Sequence, residues 1–181
     1  MPNLYLPGAS ILLSLFLVIL FFSKKRQKNS DTKIFQFMII IQLLESAVET
    51  IIYYIAYTSN NVFMLIFLNN IICTCYLLWV YLFYKYLLNI SLKNKNINKS
   101  KSIQKIELVI NFIIIFIIII SPIGLMNENE IMYSYGMKPT ITYIACAIWF
   151  LSSIIVTLSN IRNLNNKKYI PLCTLQLKIL M

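Results

Sequence analysis

The chain has 181 residues, 59% of them hydrophobic and 12% charged, with three glycines, five prolines and no histidine. That leaves too little polar surface for a soluble domain of this size, and without histidine the chain can support no His-dependent catalysis, His metal ligation or phosphohistidine chemistry. The formal charge of +10 is divided between long apolar runs, which marks the flanks of membrane spans and excludes a nucleic-acid surface.

Crossing a hydrocarbon core takes about 20 apolar residues at about 1.5 Å each. Five segments meet that length, over residues 4–22, 34–58, 62–90, 106–124 and 141–161. The expected fold is all-α: a single polytopic transmembrane domain over 1–181 with about five helices. The first run has no basic residue before it and its positive charges follow it, so it does not read as a cleaved signal peptide. Ser121-Pro122-Ile123-Gly124 is a stop for the fourth helix, because Pro and Gly both weaken helix continuation. Residues 171–181 read as the start of an incomplete sixth helix or as an interfacial tail.

Charge decides the expected orientation. Lys24, Lys25, Arg26, Lys28 and Lys33 follow the first span; Lys93, Lys95, Lys99, Lys101 and Lys105 follow the third; Arg162, Lys167 and Lys168 follow the fifth. The opposite side offers only Lys138, near Glu128 and Glu130. The positive-inside rule then puts the N-terminus outside and the C-terminus in the cytoplasm. The wealth of Ile, Asn, Lys, Tyr and Phe suggests an AT-rich bacterial genome, hence a multi-pass protein of the bacterial cytoplasmic membrane.

The second span carries the most informative pattern. Gln42, Glu45, Glu49 and Tyr53 follow spacings of three, four and four, which place them on one helical face, widened by Ser46 and Thr50. A charged residue at a helix centre costs about 2.5–3.5 kcal/mol to insert, so these carboxyls are expected to face other helices. The short connection at 59–61 makes the second and third helices antiparallel neighbours. At about 1.5 Å per residue, Glu49 comes level with Asn69 and Asn70, and Glu45 with Cys73 and Thr74. A Glu49 hydrogen bond to Asn69 or Asn70 is the expected contact. The stripe reads either as polar glue between helices or as a ligand, proton or ion site.

Glu107 and Asn111 form a second pair at helical spacing, and Trp149, Ser153, Thr157 and Asn160 approximate one face of the fifth span. Interfacial anchoring and helix packing are the plain readings of these two sets. Cys73, Cys75 and Cys146 lie in apolar runs, where a thiol behaves as a small hydrophobe. The chain has no phosphate-binding glycine loop, zinc-protease motif or nucleophile elbow. No enzyme activity, metal or cofactor is expected.

Tyr133-Ser134-Tyr135-Gly136, Ile141-Thr142-Tyr143 and Asn166-Lys167-Lys168-Tyr169-Ile170-Pro171 together resemble the N-terminal membrane-spanning sensory region of Firmicutes sensor histidine kinases, a region related to those preceding diguanylate cyclase domains. Phe35, Leu44, Glu45, Asn69 or Asn70, and Tyr81 to Tyr84 agree with it, so the resemblance covers essentially the whole chain. Two departures stand out: the family tends to place Pro directly after the Gly, where this chain has Met137-Lys138-Pro139, and the chain stops where a sixth span would begin. The resemblance implies an integral membrane input module of a two-component signalling protein, truncated before its catalytic output domain. The expected partners are the lipid bilayer and a second copy or a signalling protein. A small transporter or permease-like protein, or a structural subunit binding a partner, is the alternative. The signal-site candidates are Gln42, Glu45, Glu49, Tyr53, Asn69, Asn70 and Thr74.

Overall fold

The computed structural model describes residues 5–23, 29–58, 61–93, 101–128 and 131–160. The sixth-helix or tail segment at 171–181 lies outside the described residues. Five helices follow in order: α1 (Tyr5–Ser23), α2 (Ser30–Thr58), α3 (Val62–Lys93), α4 (Lys101–Ile120) and α5 (Met137–Asn160). Between α4 and α5 stand two short strands, β1 (Gly124–Glu128) and β2 (Ile131–Tyr135). The described residues are therefore helical apart from one hairpin and short connections. By length and composition, three helical stretches among the described residues can cross a membrane: Ser30–Ala56, Val62–Ile90 and Met137–Ser159. α1 adds a shorter apolar stretch, Pro7–Ser23.

α3 is the central element, packed against α2 on one side and α5 on the other. α1 lies on the outer side of α2, and α4 leans more lightly on α3 and α5. The α2–α3 pair is antiparallel, as the short connection requires. Ile55 and Leu65 share a core cluster near the connection, and Met38 meets Phe83 and Leu87 at the far end. Asn89 Nδ2 donates to Ser30 Oγ at 3.4 Å, and the Phe35 and Tyr86 rings lie 5.8 Å apart. α1 joins through Ser14 and Ser46, whose buried hydroxyls are 2.9 Å apart. Small hydroxyl residues let two helices approach closely in an apolar setting.

Large apolar side chains cover the outside of these helices, among them Leu12, Phe16, Phe63, Phe67, Phe112, Phe116, Ile148 and Ile155. Exposure of contiguous apolar surface on this scale belongs to a protein whose solvent is lipid.

The fourth span ends earlier than the expected 106–124. α4 stops at Ile120, where Ser121 bonds back to the Ile117 carbonyl and Pro122, lacking an N–H, cannot continue the ladder. Gly124 instead opens β1, paired antiparallel with β2 in the register Gly124↔Tyr135 to Glu128↔Ile131. The Tyr135 ring occupies the space a Cβ on Gly124 would need. α5 likewise begins at Met137, four residues before the expected 141, with Pro139 in its first turn where a missing N–H is harmless. Gly136 makes the turn into α5 with φ +108°, a conformation that favours glycine.

Candidate functional site

Two polar groups meet α3 from opposite sides. On α2, Glu45 is 8% exposed and Ser46 is buried beside it, while Gln42 and Glu49 are half-buried and Tyr53 is exposed. The stripe therefore turns inward at Glu45 and opens toward the end of the helix. Glu45 and Glu49 lie within electrostatic range of each other, and Tyr76 on α3 is in range of both. Glu45 is also in range of Cys75 on α3 and Cys146 on α5. The carboxyl thus stands at a junction of three helices, and among the described residues it accepts no hydrogen bond.

From the other side comes Lys138. Only 2% exposed, in the first turn of α5, it donates through Nζ to Asn70 Oδ1 on α3. Thr142, one turn on, donates to the Lys138 carbonyl at 2.9 Å and stands near Cys73, whose thiol also lies in range of the ammonium. Three features hold Lys138 there: the Gly136 turn, the 3.3 Å bond from its own N–H to the Pro122 carbonyl, and the packing of α5 on α3.

This placement corrects the expected partnership of Glu49. Asn69 is buried and donates to the Leu65 carbonyl at 3.0 Å, while Asn70 receives Lys138; among the described residues neither is hydrogen-bonded to Glu49. Adjacent residues on a helix point about 100° apart, and Asn70 faces α5. Thr74 is half-buried and donates to the Asn70 carbonyl at 2.8 Å, inside its own helix. Of the seven candidates, Glu45 and Glu49 come together on the α2 side of α3, and Asn70 belongs to a separate group with Lys138. Gln42 and Tyr53 flank the stripe without joining either group.

Sequence reasoning missed Lys138 as a site residue. The signal was present: Lys138, Thr142, Ala145, Trp149, Ser153 and Thr157 recur at four, three, four, four and four, and all are buried. The face recognised in its second half from Trp149 onward runs back to the lysine. The Asn160 side chain lies outside the described residues.

Among the described residues no group of three or more Cys, Asp and Glu side chains could hold a metal ion. The chemistry available is thus proton exchange at a buried carboxyl, hydrogen bonding, and charge attraction at a buried ammonium. No protein family, curated protein or solved structure matches the chain.

Proposed function

We propose that this chain is a multi-pass input module of the bacterial cytoplasmic membrane, with five spans, the N-terminus outside and a cytoplasmic C-terminus. A signal dissolved in the membrane, or reaching it from outside, changes the state of the Glu45/Glu49 stripe. The central helix α3 carries the resulting shift in packing to the cytoplasmic ends of the helices, where a signalling partner responds. The observation that supports this reading is the position of Glu45: a largely buried residue on α2, within electrostatic range of Glu49 on its own helix, Cys75 on α3 and Cys146 on α5. Carboxyls inside a membrane are by default functional.

The test is a distance. Spin labels replace the exposed Lys33 on α2 and Lys105 on α4 in a protein whose cysteines are serine. Glu45→Gln, which fixes the uncharged state, is expected to shift the label-to-label distance distribution in bilayers, and Glu45→Leu to shift it differently. Identical distributions in all three proteins would remove the coupling on which the proposal rests. Solute uptake into proteoliposomes by the unlabelled chain, lost in Glu45→Gln, would favour the transporter reading instead.

A further inference from the structure

The Glu107–Asn111 pair and the Trp149 face take no part in the reading above, yet the structure brings them together where α3, α4 and α5 meet. Tyr84 Oη donates to Glu107 Oε1 at 3.0 Å, and the Tyr84 ring tilts against Trp149 with centroids 5.1 Å apart. The Tyr81 ring meets the same indole edge-on at 5.0 Å. One turn along α4 from Glu107, Asn111 is 3% exposed and donates through its amide to the Glu107 carbonyl at 3.1 Å. Further along that face, Ile114, Ile115 and Ile118 pack into the cluster that holds Tyr81, Tyr84 and Trp149.

Among the described residues, Tyr81 Oη, Trp149 Nε1 and Asn111 Oδ1, three polar atoms in this apolar enclosure, have no hydrogen-bond partner. The residues carrying them are all more than nine-tenths buried and come from three different helices. Lipid offers them nothing, and an unmet buried donor or acceptor carries its full desolvation cost. Their chemistry restricts what can meet them. An indole N–H only donates, and an amide oxygen only accepts. An ammonium would serve Asn111 and leave Trp149 unmet. A carboxylate or phosphate would serve Trp149, leave Asn111 unmet, and stand near the Glu107 carboxyl. A hydroxyl oxygen both accepts and donates, and can take a third bond from the tyrosine.

We infer that the α3–α4–α5 junction binds an O–H group, which accepts from Trp149 Nε1, donates to Asn111 Oδ1 and is contacted by Tyr81 Oη. Its source is a buried water, which typically makes about three such bonds, or the hydroxyl of a membrane-soluble amphiphile. Either occupant puts an exchangeable proton beside the Tyr84–Glu107 pair, in a site separate from the Glu45 stripe.

The experiment reads the indole directly. The chain has two tryptophans, and Trp79→Phe keeps the stacking of residue 79 on Phe83 while leaving Trp149 as the sole indole. In the full chain, ¹⁵N-labelled at the indole and held in deuterated detergent, dipolar transfer to the Trp149 N–H is recorded from water and from aliphatic hydroxyl resonances. A peak from water identifies the occupant as water; a peak from an aliphatic hydroxyl identifies an amphiphile. Asn111→Leu and Tyr81→Phe are each expected to weaken or abolish the peak. Tyr81→Phe, which preserves the ring, is also expected to lower the thermal unfolding midpoint, and it keeps the test open if Asn111→Leu does not fold. Absence of any O–H transfer, together with a raised midpoint in Tyr81→Phe, would overturn the inference.

Discussion

A lysine held, among the described residues, by a single amide oxygen is costly to bury, because much of its hydration is lost and only one of its three donors is matched by Asn70. The two partners should therefore respond unequally to substitution. Asn70→Leu strands the ammonium and is expected to destabilise the protein by about 1–3 kcal/mol. Lys138→Met removes the charge along with the bond and is expected to cost less, and the double variant should recover most of the Asn70→Leu loss. Equilibrium unfolding in mixed micelles measures all three; equal losses from both single variants would show that the ammonium draws on partners other than Asn70. Glu45 behaves by the same logic. Since it accepts no hydrogen bond from the described residues, Glu45→Leu should leave the unfolding midpoint unchanged or higher while abolishing the response of the helix ends. The Gln42, Glu45, Glu49 stripe was legible in the sequence because its members repeat at the helical period within one span. The Lys138–Asn70 bond was not, because its partners are 68 residues apart and a cation near a helix end reads first as an interfacial flank.

Where helices exist was legible from apolar run length, and Ser121 and Pro122 marked the stop of α4, although the expected span ran on to 124. The segment between α4 and α5 was not. A two-stranded ribbon of ten residues has too little apolar alternation to stand out from a loop, and its register depends on Tyr135 lying over Gly124 and on the turn at Gly136. That turn has a larger consequence, since it aims the first turn of α5, and Lys138 with it, at α3. Gly136→Ala forces a side chain into a strained backbone conformation and is expected to cost about 1–3 kcal/mol. It should also loosen the Lys138–Asn70 contact, read as faster reaction of a maleimide with Cys73. The Ser14–Ser46 contact between α1 and α2 is a milder case. Ser46→Ala should lower stability by about 0.6 kcal/mol, the usual worth of a hydrogen bond between membrane helices.

Apolar side chains on the outside and polar ones within, with α3 shared by α2 and α5, describe a protein organised around its middle helix. In water this surface would aggregate; in a bilayer it is the solvated face, and the interior polar groups hold the helices in register. Among the described residues three helices have the length and composition to span, and the proposed input module needs α1 and α4 to span as well. That arrangement puts the hairpin and the start of α5 outside, and the basic segments after α1, α3 and α5 in the cytoplasm. Single cysteines at Lys33, Lys105 and Ser134, all exposed, placed one at a time in a cysteine-free background, report this directly in intact cells and in inverted membrane vesicles. A membrane-impermeant maleimide should label position 134 only from outside, and positions 33 and 105 only from the cytoplasmic face. Labelling of 33 or 105 from outside, or of all three from one face, would contradict the five-span arrangement and the proposal built on it.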